Sequence, residues 1–254
     1  VKLNLDIYRP SHYIHSSKIS KYTDIYDKNV VNASLNQANR EMGIRRLMAI
    51  NLMKRMESSV YSFELTLSRI KALIDKTIHQ IDDFNFNHQA EIELTEISDR
   101  EFDPDDQNSD ELFTIGRKVK ISLADMDRTS WREQLAKDSE VLELLTLMVG
   151  DITPAHDCKL QELFKVIKNK MENPINEGNR KIIIFTAFAD TADYLYENVS
   201  RYVKENYGLD TAIITGNVEG RTTANLKRTD LNTVLTCFSP ISKDKKLLMP
   251  DDTN

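Results

Sequence analysis

KIIIFTAFADTAD, residues 181–193, packs an apolar run, a turn and a helix start into thirteen residues. Ile182, Ile183, Ile184 and Phe185 form the uninterrupted apolar stretch that a strand needs when both faces of its sheet are covered. This reading predicts a buried parallel strand in an α/β layer. Asp190 or Thr191 then offers an oxygen to cap the following helix, which runs through Leu195, Val199, Tyr202 and Val203 to a stop at Gly208. The polar end of such a strand is where open α/β sheets bind ligands.

Downstream, Thr211 to Thr215 (TAIIT) reads as a second strand closed by Gly216, and a helix is expected from about Thr229 to Phe238, ending at Ser239-Pro240. The order strand, helix, strand, helix implies right-handed crossovers and a parallel sheet. Two strands are too few to be covered on both faces. The chain opens at Val1 without a signal-peptide pattern and closes in the acidic string Pro250 to Asn254, so it is read as a piece of a longer protein.

Upstream the period changes. Met56, Val60, Phe63, Leu67, Ile70, Ile74, Ile78 and Ile81 are spaced 4, 3, 4, 3, 4, 4 and 3, close to a heptad stripe. That pattern predicts one helix of about forty residues and roughly 60 Å, from about Asn39 to Phe84. Such a helix cannot bury its stripe alone. Trp131, Leu135, Leu142, Leu145 and Val149 repeat the spacing, and the simplest arrangement folds the two stripes back on each other. Between them, about 91–111 is acidic and holds Pro104, the composition of a solvated tip. Residues 1 to about 38 are polar and read as a loop-rich lead-in. A shorter amphipathic helix, about Asp157 to Met171, carries Leu160, Leu163, Phe164 and Ile167 toward the strand at Lys181. The expected fold is α/β and predominantly helical: a long antiparallel helical arm with its tip over 1–152, then a partial parallel-sheet lobe over 153–254.

Composition narrows the function classes. The 254 residues are 40% hydrophobic and 29% charged, with a net charge of −6, so the whole field does not favour nucleic acid and any such role must rest on local basic patches. No window approaches the roughly eighteen apolar residues of a membrane span, which points to a cytoplasmic chain with no membrane partner. Cys158 and Cys237 lack a CxxC partner and read as small hydrophobes in a reduced compartment. The five histidines show no ligand spacing, and no Ser-His-Asp or Cys-His grouping stands out.

Four stretches resemble the Swi/Snf-type branch of superfamily 2 helicases, in particular the bacterial ATP-dependent DNA translocases. NLMKRMESSVYSFELTL (51–67) is similar to the long helix inserted between the two RecA-like motor lobes, and DCKLQELFKVI (157–167) to the helix that enters the second lobe. KIIIFTAFADTADYLYENV (181–199) resembles helicase motif IV with its helix, while TGNVEG (215–220) and LTCFSP (235–240) fit the segment before motif V. The resemblance spans about residues 40–243. It implies a RecA-like lobe, duplex DNA as partner, and ATP with Mg²⁺ held largely by a first lobe that is missing here. This chain is expected to hold no cofactor and no catalytic residue of its own. Phosphate-loop and acidic-box motifs are absent: Gly216 to Thr222 has three residues between its glycines and Arg221 where a lysine is needed.

The resemblance points the Thr186 hydroxyl at the DNA backbone, and Gly216 either eases a turn or lets the backbone approach a phosphate. Arg40, Arg45, Arg46, Lys54 and Arg55 form the densest basic cluster, readable as a solvated helix face or as a track for duplex phosphates. Two rivals stand beside the translocase: a helical scaffold or coiled-coil interaction module with an α/β cap, and a small Rossmann-like ligand-binding domain. The second lacks a glycine-rich first turn.

Overall fold

The computed structural model describes residues 2–26, 37–87, 91–93, 120–216 and 218–248. The chain divides into two units, residues 1–151 and 152–254.

Unit 1 contains α1 (Ile19–Tyr26), α2 (Gln37–Ser58), α3 (Val60–Asn87) and α4 (Arg128–Gly150). Polar contacts fix how α3 and α4 run. Arg132 grips Asp82 through bonds of 2.6 and 2.9 Å, Ser139 reaches Asp75 at 2.7 Å, and Lys71 lies 3.9 Å from Glu143. Numbers fall along α3 by the same steps, seven then four, by which they rise along α4. The helices are therefore antiparallel and in register, at heptad spacing. Inside this seam, Phe63, Leu67, Ile70, Ile74 and Ile81 are buried with Trp131, Leu135 and Leu142. Each such side chain contributes about 1.5–3 kcal/mol by leaving water. The half-exposed Arg132–Asp82 pair adds no more than about 1 kcal/mol.

The single forty-residue helix expected from the spacing is two helices. Ser59 interrupts it: its hydroxyl oxygen accepts the Ser62 N–H at 3.0 Å, an N-cap that starts α3 afresh. Met56 consequently leaves the stripe and is half exposed.

The lead-in is also not what its polarity predicts. Its described residues fold as short 3₁₀ turns at Asp6–Tyr8, Pro10–Tyr13 and Ser16–Lys18 followed by α1, and Leu5, Ile7, Tyr8 and Tyr13 join the core. The cause lies in α4, whose buried stripe carries Asp138 between Leu135 and Leu142. Asn4 and Asp6 each donate a backbone N–H to that carboxylate at 2.8 Å, and Trp131 donates its indole N–H to the Asp6 carbonyl at 3.2 Å. Aiming the two N–H groups at one anion puts Leu5 at φ 56°, a left-handed conformation that L-residues seldom adopt. Burial pushes the Asp138 carboxyl up, while the N–H donors oppose that rise.

Of the expected acidic tip, Glu91–Glu93 forms β1, which pairs antiparallel with β2 (Lys120–Ser122), Ile92 opposite Ile121. The rest of the tip lies outside the described residues.

Unit 2 contains α5 (Cys158–Glu172), α6 (Ala189–Tyr207), β3 (Ala212–Thr215), β4 (Val218–Thr222), α7 (Leu231–Phe238) and α8 (Lys245–Leu248). Its core joins Leu160, Ile167 and Met171 to Tyr194, Val199 and Val203, and Phe164 stacks on Tyr202 with centroids 4.3 Å apart. The buried carboxylate of Asp157 caps α5 by accepting the Lys159 and Leu160 N–H groups, and also accepts the Tyr194 hydroxyl at 2.9 Å. Gly208, at φ 64°, ends α6 in the left-handed conformation glycine adopts freely.

The strand expectation is corrected here. Ile182 to Phe185 form no strand; Ile182 packs on the core, but Ile183, Ile184 and Phe185 are 59%, 40% and 90% exposed. β3 turns at Gly216 and pairs antiparallel with β4, Ala212 opposite Thr222 and Ile213 opposite Arg221. No RecA-like parallel sheet occurs among the described residues. A buried strand needs neighbours on its edges, and β3 has taken the nearer one: closing a short hairpin costs less chain entropy than a crossover. Phe188, rather than Asp190 or Thr191, takes the cap position of α6, and Thr191 is buried. Cys158 is exposed rather than packed as a core hydrophobe.

Candidate nucleic-acid interface

α2 carries all five basic candidates, and its pitch disperses them. At about 100° per residue, a cluster dense in sequence winds around the helix instead of sharing a face. Arg46 points outward and is exposed; Lys54 is exposed on one flank, with half-buried Arg40 on that same side and half-buried Arg45 on the other. Arg40 donates to Gln37 Oε1 at 3.4 Å. Arg55 leaves the patch altogether: it is fully buried and donates to the Ser62 hydroxyl at 3.2 Å, out of reach of any phosphate. The accessible positive charge of α2 therefore centres on Arg46 and Lys54.

One residue that charge counting passes over holds α2 in place. Glu41 is buried and accepts the Ser11 N–H at 3.1 Å, the Ser11 hydroxyl at 2.5 Å and the Gln37 amide at 3.0 Å. Burial outweighs these donors and pushes its carboxyl up to about 7. Asp125 behaves in the opposite way. Its hydrogen bond from Lys21 at 2.7 Å, helped by the Tyr22 hydroxyl, holds its carboxyl below the ordinary range.

In unit 2, Thr186 is half-buried and its hydroxyl oxygen accepts the Phe188 N–H at 3.3 Å, immediately before α6. Gly216 is exposed in the turn between β3 and β4. These two belong to a different unit from the α2 cations. The first turn of α6 carries Asp190, so negative charge already stands at that helix end.

The glycine pair of residues 216–222 builds no phosphate cradle. Val218–Thr222 is strand β4, and Arg221 is bound to Asp193 and lies 5.0 Å from the Tyr196 ring centre. Gly220 serves packing: a Cβ there would sit 2.3 Å from the Thr229 carbonyl oxygen. The residues present do not fit a nucleotide at this place. Among the described residues, no group of three His, Cys, Asp or Glu could hold a metal ion, and no helix is long and apolar enough to cross a membrane.

The sequence also held a signal that charge counting leaves aside. Met42, Ile50 and Met53 lie out of phase with the buried Met48 and Leu52, so α2 has two apolar sides. Compared with family models, curated proteins and solved structures, the chain matches none.

Proposed function

We propose that this chain is part of an ATP-dependent duplex-DNA translocase of the Swi/Snf type, with α3 and α4 as its rigid interlobe arm and unit 2 as part of its second motor lobe. The observation that supports this reading is the apolar run Ile183 to Phe185, left exposed just before α6. A strand-length run ahead of a helix, paired with no strand among the described residues, is what a sheet completed by other strands leaves behind. ATP and Mg²⁺ belong to a first lobe in this reading. The chain's own part is to hold the arm rigid and to offer Arg46, Lys54, Thr186 and the Gly216 backbone to duplex phosphates.

The test is the ATPase rate of a longer polypeptide that joins this chain to a first motor lobe, with and without duplex DNA. Stimulation by DNA is the expected result; a flat response favours the scaffold. In that polypeptide, reversing Arg46 and Lys54 to Glu weakens DNA binding and flattens its salt dependence if α2 contacts phosphates. Unchanged binding returns the cluster to solvated surface.

A specific feature also favours the second reading, a helical interaction module. The outward side of α2 is richer in apolar residues than a solvated helix requires.

A further inference from the structure

The segment from Asn4 to His15 is strapped across unit 1, fastened at both ends and in the middle. At its start Asp138 of α4 accepts the Asn4 and Asp6 N–H groups, and Trp131 donates its indole N–H to the Asp6 carbonyl. At its finish the His15 N–H reaches the Asp125 carbonyl at 2.9 Å, and the Asp127 N–H reaches the Tyr13 carbonyl at 2.7 Å. Between them lies the fastening to α2: Glu41, only 4% exposed, receives both the N–H and the hydroxyl of Ser11.

The two carboxyl fastenings differ in what faces them. Backbone N–H groups only donate, so Asp138 must be ionised to hold one on each oxygen. A hydroxyl both donates and accepts. A protonated Glu41 therefore turns its own O–H to the Ser11 oxygen and keeps that bond, whereas an ionised Glu41 is a buried charge met by neutral donors, Ser11 and the Gln37 amide. Among the described residues no lysine or arginine forms an ion pair with it. The cation it senses from the strap is Arg9, which is held by Asp6 at 2.8 Å. His12, next to Ser11, sets its ring edge-on to Tyr13 with centroids 5.3 Å apart. Along α2 itself the neighbouring cations are Arg40, bonded to Gln37, and the half-buried Arg45 one turn on.

We propose that the Glu41–Ser11 contact is a pH-sensitive latch: protonated Glu41 holds the strap against α2, and loss of that proton loosens the strap and the first turns of α2. The closed strap raises the carboxyl to about 7 from an ordinary 4.5, so closure is fully favoured below the lower value and weakens as pH rises through the higher. From about pH 6 to about pH 8, opening becomes about tenfold easier. This latch does not depend on the translocase reading.

The test is amide hydrogen exchange on the full chain at those two pH values, each rate divided by the open-chain rate at the same pH. The amides of Ser11, His12 and Ile14 should be less protected than those of Leu67 to Ile81 at both, and should lose about tenfold in protection on going to the higher pH. Glu41→Gln should abolish that loss. His12→Gln and His15→Gln should each retain it, which separates the latch from imidazoles that titrate in the same window. In the unaltered chain the loss should level off where the Glu41 carboxyl carbon resonance reports ionisation near neutral pH, a reading that needs no variant. Protection in the strap that does not change with pH overturns the proposal, as does a loss that survives in Glu41→Gln or vanishes in either histidine variant. So does a strap protected as strongly as α3, which would mean that it opens only when the whole unit unfolds, or a Glu41 carboxyl that titrates in the ordinary range.

Discussion

The two units treat their apolar residues differently. In unit 1 the inward stripes of α3 and α4 meet each other, and the segment from Asp6 to Tyr13 closes over Trp131, leaving Leu67, Ile70, Ile74, Leu135 and Leu142 without solvent exposure. In unit 2 the helices α5 and α6 share a small core, yet of the apolar run beside it only Ile182 packs on that core while Ile183, Ile184 and Phe185 are exposed. The difference teaches that a heptad stripe carries its partner in the same hairpin, whereas a strand of the fully buried kind depends on neighbours that sequence proximity does not provide.

The largest expected effect probes the closed side of that comparison. Trp131→Ala removes a fully buried ring, its bond to Asp6 and its stacking on Tyr13, and should cost about 3–5 kcal/mol in urea unfolding. Phe185→Ala, at a ring that is 90% exposed, should change stability by less than about 0.5 kcal/mol. Equal losses from the two would erase the contrast.

Next in size, Gly220→Ala forces a methyl group toward the Thr229 carbonyl oxygen and should destabilise unit 2 by about 1–3 kcal/mol while the unfolding of unit 1 stays put. Limited proteolysis of the two halves distinguishes them. Asp157→Ala should cost about 1–2 kcal/mol, because it removes the cap of α5 and the acceptor of Tyr194 together. If Tyr194→Phe alone reproduces the whole loss, the cap contributes nothing.

A further effect is a slope with pH and not a fixed loss. Glu41 has its folded carboxyl pushed up to about 7 from an ordinary 4.5, so below the lower value both folded and unfolded chains hold the proton. Between the two, only the unfolded chain releases it, and stability falls as pH rises until the folded carboxyl has also ionised. Glu41→Gln should flatten stability across that window and leave the protein more stable than the parent above it. An unchanged slope, followed by chemical denaturation at several pH values, would place the titration elsewhere.

How much of this was legible beforehand depended on where each element finds its partners. The stripe from Phe63 to Ile81 and its counterpart from Trp131 to Leu142 could be read directly, since helical period is written in one segment. The ends of α6 and α7 were equally plain, Gly208 closing one and Ser239-Pro240 following the other. The lead-in was not, because the bonds from Asn4 and Asp6 to Asp138 join residues more than 130 positions apart. Nor was the fate of the basic cluster on α2, where density in the sequence says nothing of how five side chains wind around the helix. The run from Ile182 to Phe185 has strand composition, and composition cannot supply the strands that would flank it.

Hydrogen exchange on the intact chain tests the contrast most directly. The amides of Leu67 to Ile81 in α3 should be strongly protected and those of Ile183 to Phe185 should exchange at close to the rate of an open chain. Protection of Ile183 to Phe185 equal to that of the helical seam would mean that the run is already paired, and would contradict the account.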